Sequence, residues 1–352
     1  MRETAIIAYA QTPMVRDAGA QNEVELIMQV VHKVLHDLNI SQSDIDFTCS
    51  GSCDYLQGVS FAFVDGLNAV SSVPPIKESH VEMDAAWALY EAWLKIQTRE
   101  VDIALVYGFG KSSPGEIRNI MSLQLDPYYL APLWPDSISL AALQAKAMLD
   151  KNLISEEQMA EVVQRSRENA KSNVNSQLSG DFSIEDLLKE PTFISPLRKH
   201  DCAPISDGAS AVIIASKKSA LSLCDNPAFI SAIDHRIETG QLGYRDLTIL
   251  PSIRKSSNMI NLNKIKVDAA ELHAPFSHQE LLLKKELDLS DTVLINESGG
   301  ALAGNIMMAA GLDRIGCIFS QIKSRKIKSG LAHATSGPCL QQNMLVLMES
   351  KK

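Results

Sequence analysis

The sequence predicts an α/β protein in which two similar sheets pack face to face through shared helices. Strand and helix patterns alternate in the first third of the chain, and the pattern starts again after residue 225. A Pro- and aromatic-rich stretch interrupts only the first copy. We therefore expect two pseudo-symmetric βαβαβ halves, one over residues 1–225 with an insertion at about 114–200, and one over 226–352.

The first half has clear periodicities. Residues 4–10, TAIIAYA, predict a buried strand, and residues 24–38 carry apolar side chains at the i, i+3, i+4, i+7 spacing of a helix. IDFTCSG at 45–51 predicts a short strand that ends in glycine. An apolar stripe predicts a helix over 85–96, and VDIALVYGFG at 101–110 predicts another buried strand.

The insertion has a different character. LQLDPYYLAPLWPDS is rich in Pro and aromatic residues, and long insertions in compact domains often act as lids or binding loops. Ser155 and Gln158 predict a capping box that begins a helix. A strand is expected at 211–215. AFISAIDH then resembles the opening strand, and DTVLINESGG and HATSGPCLQQNMLVLME indicate further strands.

Composition limits the functional classes. The net charge of -9 and the pI near 5.4 argue against a non-specific nucleic-acid-binding protein. Six cysteines in 352 residues do not make a disulfide scaffold, and the pair Cys49 and Cys53 lacks the partners of a zinc site, so no metal is expected. Neither a membrane span nor a secretory signal is expected, and the cytoplasm is the expected location.

Four separated stretches resemble, in order, those of the thiolase superfamily. They are CAPISDGASAVIIAS at 202–216, ELHAPF at 271–276, NESGGALAGNIMMAAGL at 296–312 and GLAHATSGPCLQQN at 330–343. HVEMDAAWALYEAW and LDPYYLAPLWPDS are similar to the branch of sterol-carrier-protein-x thiolases and actinobacterial lipid-transfer-protein aldolases.

This resemblance implies the five-layered αβαβα thiolase fold and a homodimer. The strand at 101–108 is then a candidate for a contact that extends the sheet across the dimer. The expected substrate is a coenzyme A thioester, with no bound cofactor. Members of this branch act in steroid side-chain degradation, often with a small zinc-ribbon and OB-fold partner protein.

The chain departs from the family at both residues that drive acyl transfer. Thiolases place a nucleophilic Cys at the start of a buried helix, where the helix N-terminus lowers the thiol pKa. Residues 80–90 contain no Cys, Ser or Thr. Glu82 or Asp84 falls in or beside that place, either as a helix cap or as a catalytic base. The histidine of the family's Gly-His-Pro motif is replaced by Asn305.

The glycines around Asn305 remain. Glycine lets the backbone approach a thioester and its pantetheine arm closely, although a tight turn before a helix would need the same residues without any ligand. The predicted substrate-binding residues are Gly299, Gly300, Gly304, Asn305, Ser336 and Gly337.

Four further residues are catalytic candidates. His273 follows a predicted strand at the place where the family forms an oxyanion hole through water, unless it is a hydrogen-bonded core histidine. His333 precedes a Thr-Ser-Gly turn and is a candidate general base. Cys339 lies close to the family's second catalytic Cys, but a buried inert Cys is the alternative. Tyr244, in a loop of the second half, is a candidate base or proton donor, and packing or substrate contact is the alternative.

Three functions follow from these residues. The first is retro-aldol cleavage of a β-hydroxyacyl-CoA, which needs a base and an oxyanion hole but no covalent intermediate. The second is acetyl-CoA C-acyltransferase activity with a non-standard nucleophile, for which Cys202 and Cys339 are the candidates. The third is acyl-CoA or lipid binding without catalysis.

Overall fold

The computed structural model describes residues 2–70 and 76–351. Its α-helices are α1 (Glu23–Leu38), α2 (Asp54–Gln57), α3 (Phe63–Ala69), α4 (Ala85–Gln97), α5 (Ile117–Leu123), α6 (Ser137–Asp150), α7 (Glu156–Asn169), α8 (Ile184–Lys189), α9 (Lys217–Leu223), α10 (Pro251–Met259), α11 (Ser277–Glu286), α12 (Gly300–Ala303) and α13 (Ala310–Lys323). Its strands are β1 (Thr4–Gln11), β2 (Phe47–Gly51), β3 (Glu78–Val81), β4 (Ile103–Gly110), β5 (Thr192–Ile194), β6 (Leu197–Arg198), β7 (Gly208–Ser216), β8 (Ala228–Ile237), β9 (Ala269–Leu272), β10 (Leu294–Ile295), β11 (Ser329–Ser336) and β12 (Gln342–Ser350).

The strand topology repeats once along the chain. The five sheet strands of the first half lie in the order β1-β7-β4-β2-β3, and those of the second half lie in the order β8-β12-β11-β9-β10. Counted along the chain within each set of five, both orders are first, fifth, fourth, second and third. The parallel and antiparallel pairings also correspond between the two sets. A short β1–β8 contact of two residue pairs joins the sets. This repeat is the pseudo-symmetry that the sequence predicts.

Five layers result from the way helices cover these sheets. Apolar side chains of α4 and α13 share one core with side chains from both sheets, so these two helices lie between them. The outer face of the first sheet packs against α1 and α9. The outer face of the second sheet packs against α10 and α11. Because each sheet is covered on both faces, its strands are apolar on both faces.

Local sequence signals determine where several helices begin. Asn22 accepts a hydrogen bond from the Glu25 backbone N–H, and the Glu25 carboxylate accepts one from the Asn22 N–H, which satisfies two donors at the start of α1. The same reciprocal pair joins Ser155 and Gln158 at the start of α7, so the predicted capping box is confirmed.

Strand β4 has neighbours on both sides. It pairs with β2 on one side and with β7 on the other. Its backbone hydrogen-bonding groups are therefore used within the chain, and the prediction that residues 101–108 extend the sheet across a dimer is wrong. In the part of the chain that the structure describes, β3 pairs with β2 alone and forms the open edge of the first sheet.

The insertion is more helical than its composition indicates. Helices α5 to α8 and the small β5–β6 ladder occupy most of residues 114–200. Helix α7 packs against α11 and α12 of the second half, and its contacts reach the glycine-rich turn before α12. None of the helices within residues 2–70 and 76–351 is long and apolar enough to span a bilayer.

Candidate active site

The two central helices begin at a shared carboxylate. Asp84 caps α4 by accepting a hydrogen bond from the Ala86 N–H at 2.8 Å through Oδ1. Its Oδ2 accepts one from the Gly311 N–H, at the start of α13, also at 2.8 Å. Burial raises the pKa of Asp84, and the backbone N–H donors oppose that rise. Both carboxylate oxygens are engaged, so the geometry matches the helix-cap interpretation of this residue.

Small residues surround the start of α4. Its first residue, Ala85, is fully buried, and its N–H donates to the Met308 carbonyl at 2.9 Å. A Cβ added at Gly108 would lie 2.6 Å from the Ala85 Cβ, and one added at Gly311 would lie 2.6 Å from the Ala334 Cβ. The place where thiolases carry a nucleophile is therefore closely packed, with Gly108 against Ala85 and Gly311 against Asp84 and Ala334.

His273 and Asn305 form a hydrogen-bonded pair. The Thr335 N–H donates to His273 Nδ1 at 3.4 Å, so the ring proton is assigned to Nε2, which lies 3.1 Å from Asn305 Oδ1. Burial, together with the neighbouring His333 and Arg314, lowers the pKa of His273 to about 3. The ring is therefore neutral at physiological pH, and its N–H is already donated to Asn305.

The Asn305 carboxamide keeps its own donors available. Within the described residues no acceptor bonds to its Nδ2, and the side chain is only half-buried. Its backbone is fixed by Ser206, whose Oγ accepts from the Asn305 N–H at 2.9 Å. The Ser206 N–H donates in turn to the Asn305 carbonyl at 3.3 Å. The sequence indicates His273 as an oxyanion donor. In the structure the N–H of that ring is donated to Asn305, whose Nδ2 keeps its own donors available among the described residues.

His333 lies on the other side of the second sheet. Ala332 and Ala334 face the central helices, so the intervening side chain faces the outer layer. Its Nε2 is 3.0 Å from Asn343 Oδ1, and burial lowers the pKa of His333 to about 4. Only its backbone reaches the pair, because its carbonyl accepts from the His273 N–H at 3.2 Å. The structure does not bring this ring together with Asn305.

Two other base candidates are at the surface. Glu82 is exposed and accepts a hydrogen bond from the Asp54 N–H at 2.6 Å, at the start of α2. Tyr244 is 85% exposed in a short turn. The next residue, Arg245, donates to the Cys339 carbonyl at 2.7 Å. This contact ties the Tyr244 turn to the loop that follows β11, the strand whose end contacts His273.

Both cysteines considered as alternative nucleophiles are shielded. Cys339 is buried, and its thiol donates to the Leu140 carbonyl at 3.3 Å. The Cys202 thiol is 3.6 Å from the Arg198 carbonyl. Burial raises the pKa of each thiol to about 12. Neither is therefore a thiolate at neutral pH, and Cys339 matches the inert-cysteine interpretation.

Protein atoms fill the space beside the glycines of the turn. The positions that Cβ atoms of Gly299, Gly300 and Gly304 would take lie against Ala170, Asn296 and Met14, respectively. Gly299 and Gly300 also have positive φ angles of 94° and 66°, which favour glycine. Other residues of the same chain therefore occupy the space that the missing side chains leave. This packing agrees with the interpretation of the segment as a tight turn before a helix.

The loop after β11 holds the last two predicted binding residues. Ser336 is half-buried at the end of the strand, opposite Gln342. Gly337 is exposed with φ of 74°, and a Cβ there would lie 2.7 Å from Gln341 Oε1. Ser336 and Gly337 directly follow Thr335, whose N–H contacts His273, so this loop begins beside the His273–Asn305 pair.

Comparisons with known proteins agree with this architecture. No family model matches the chain. Acetyl-CoA acetyltransferase of Methanocaldococcus jannaschii is 26% identical over 93% of this chain and 91% of its own length. Human sterol carrier protein 2 is 24% identical over 89% of this chain and 64% of its own length.

Solved structures give the same result at lower identity. The Ltp2-ChsH2(DUF35) aldolase superposes with a TM-score of 0.82 at 16% identity, covering 99% of this chain and 98% of the other. Human mitochondrial 3-ketoacyl-CoA thiolase superposes with a TM-score of 0.78 at 18% identity, covering 99% of each chain. The resemblance predicted from the sequence is thus confirmed: this chain has the thiolase fold and is similar to acetyl-CoA acetyltransferases and to the sterol-carrier-protein and Ltp2 branch.

Proposed function

We propose that this chain breaks, and in reverse makes, a carbon–carbon bond next to a CoA thioester, by retro-aldol cleavage of a β-hydroxyacyl-CoA. One observation carries the proposal. The Asn305 carboxamide has unused N–H donors and is oriented by a neutral His273, in a site without a nucleophile. Such a site suits stabilisation of a negative oxygen and not the formation of an acyl-enzyme.

The reaction needs only proton transfers by the protein. A base removes the proton of the β-hydroxyl, and the C–O bond becomes a carbonyl as the Cα–Cβ bond breaks. The electron pair of that bond passes to the thioester as an enolate, whose oxygen accepts hydrogen bonds from Asn305 Nδ2. Protonation at Cα then releases the shortened acyl-CoA and a ketone or aldehyde. No oxidant or covalent intermediate takes part.

Tyr244 is the proposed acid–base group. Of the base candidates, Asp84 is occupied by two helix N-termini and the His333 ring faces the outer layer. Tyr244 has an exposed hydroxyl, with no hydrogen-bond partner in the part of the chain that the structure describes, on a turn that Arg245 ties to the loop beside His273. A bound substrate between this turn and Asn305 would meet a proton-transfer group on one side and an oxyanion donor on the other.

Replacement of Tyr244 by Phe is expected to lower kcat for β-hydroxyacyl-CoA cleavage about 100-fold, because it removes one acid–base group. Cleavage would be measured by following the acyl-CoA product chromatographically, with and without a candidate zinc-ribbon and OB-fold partner. Tyr128→Phe is the matched control, since Tyr128 is similarly exposed, at 82%, in the insertion. Equal rates for Tyr244→Phe and the parent would reject Tyr244 as the acid–base group.

The same assay separates the other two functions. Acyl-CoA binding without turnover under all conditions would favour a binding protein. Mass spectrometry of the denatured protein after incubation with acyl-CoA would test for acyl transfer. An increase in the protein's mass equal to one acyl group would favour that function. The high thiol pKa values of Cys202 and Cys339 argue against that second result.

We also propose a homodimer formed along β3. Carbonyls of Lys77 and Val81 accept hydrogen bonds from the β2 side, so the backbone groups of Glu78 and His80 are directed to the open edge. Exposed apolar side chains lie in the neighbouring segment around α2 and α3. They are Tyr55, Val59, Phe61 and Val64.

His80→Pro is expected to convert the dimer to a monomer, because it removes one outward N–H without removing a β2–β3 hydrogen bond. His80→Ala is the control, since it removes the same side chain but keeps the N–H. Sedimentation velocity would give the two masses. A dimer that survives His80→Pro, or a parent protein that is monomeric, would contradict this interface.

A further inference from the structure

One buried side chain fixes the turn between β10 and α12. Asn296 is 2% exposed with φ of 50°, a conformation that Asn tolerates better than most residues. Its Oδ1 accepts a hydrogen bond from the Leu272 N–H at 2.6 Å, and its Nδ2 donates to Glu280 Oε2 at 2.6 Å. A Cβ at Gly300 would lie 2.8 Å from Asn296 Nδ2, so that glycine leaves room for the carboxamide.

The contacts continue into the insertion. Glu280, on α11, is 4% exposed and forms an ion pair with Arg165 on α7. Asn296 donates to the other oxygen of the same carboxylate, so both oxygens of Glu280 have hydrogen-bond donors. A continuous path of hydrogen bonds therefore runs from the surface of the insertion, through Glu280 and Asn296, to the backbone at the end of β9.

Leu272 is the last residue of β9, and His273 follows it directly. The direction of the His273 side chain depends on the backbone that leads into it. Asn296 Oδ1 accepts from the Leu272 N–H, in the peptide between Glu271 and Leu272, and the next N–H, that of His273, donates to the His333 carbonyl. We infer that Asn296, supported by Glu280 and Arg165, is the positioning residue that holds His273 against Asn305. The catalytic part of this inference rests on the proposed function.

The same turn has a second attachment that does not involve this peptide. Asn169, on α7, donates to the Asn296 carbonyl at 3.1 Å. This contact supports the turn but does not touch Leu272 or His273. A loss of turn stability alone would therefore follow from changes at either residue. A change in the His273 ring should follow from loss of the Asn296 side chain, or of the contacts that hold this side chain, but not from loss of the Asn169 side chain.

The test uses full-length protein with ¹⁵N-labelled histidine. Nuclear magnetic resonance would report the His273 tautomer, with the signal assigned by its loss in His273→Gln. In the parent and in Asn169→Ala, the ring is expected to show one neutral tautomer with its proton on Nε2. In Asn296→Gly, which accepts the positive φ, the ring is expected to show averaged tautomer shifts. We also expect kcat for β-hydroxyacyl-CoA cleavage to fall about tenfold with KM within twofold of the parent.

Arg165→Gln provides a second variant if Asn296→Gly does not fold, because the Arg165 side chain is 38% exposed. It is expected to shift the His273 signals in the same direction by a smaller amount. Unchanged His273 signals in every folded variant would overturn the positioning role, whatever the activity. A parent without lyase activity whose His273 tautomer still depends on Asn296 would reject the proposed reaction and keep the positioning role.

Discussion

Asn305→Asp is expected to lower kcat for β-hydroxyacyl-CoA cleavage by about 100- to 1000-fold, the usual loss when one oxyanion donor is removed. The substitution keeps the size of the side chain and an oxygen that accepts from His273 Nε2, now 3.1 Å from Oδ1. It replaces the free amide N–H donors by a negatively charged oxygen, which repels an enolate. Because the donors act mainly on the developing charge, KM should change less than about threefold.

The second His–Asn pair of the same sheet provides the matched control. His333 and Asn343 are joined at 3.0 Å on the outer face, where both side chains are fully buried. Asn343→Asp is expected to lower the midpoint of thermal unfolding, because Asn343 also donates to Ser252 and Leu340, but to leave kcat of the folded fraction unchanged. The reverse pattern, with activity lost in Asn343→Asp and kept in Asn305→Asp, would move the chemistry to His333.

The sequence predicts the layers of this fold better than the directions of its side chains. Helix α4 begins at Ala85 as expected, and both halves carry the same strand order, because apolar periodicity and short connections constrain these features. The His333 ring shows the limit. Strand β11 is buried on both faces, so alternation of apolar and polar residues cannot tell which face meets the central helices.

Contacts between distant segments explain the remaining differences. The role of His273 depends on the hydrogen-bond partners of its two ring nitrogens. Nδ1 accepts from the Thr335 N–H, and Nε2 contacts Asn305 Oδ1. The sequence does not single out Asn296, although the segment Asn-Glu-Ser-Gly-Gly at 296–300 is a usable signal for a positive φ at its Asn. The Pro and aromatic residues of the insertion obscure the helical spacing of α5 and α6, so the sequence indicates a loop there, whereas the capping box at Ser155 correctly predicts the start of α7.

Asp84→Ala is expected to lower the free energy of unfolding by about 3 to 4 kcal/mol. One N-cap contributes about 1 to 2 kcal/mol, and this carboxylate caps two helices. Two caps together therefore contribute about 2 to 4 kcal/mol. The expected loss of free energy is at the upper end of this combined range because the site is buried, with Asp84 only 3% exposed. The backbone N–H groups of Ala86 and Gly311 would remain without acceptors and without access to water.

Two comparisons distinguish this double cap from an ordinary one. Asn22→Ala removes the single, exposed cap of α1 and is expected to cost about 1 kcal/mol in the same denaturant titration. Asp84→Asn keeps one acceptor oxygen and should lose about half as much as Asp84→Ala. If Asp84 instead acts as the catalytic base, Asp84→Asn would abolish cleavage while its unfolding midpoint stays at the parental value. Because α4 and α13 belong to different halves of the chain, a large loss in Asp84→Ala would show that one carboxylate links the two copies of the repeat at the place where the family keeps its nucleophile.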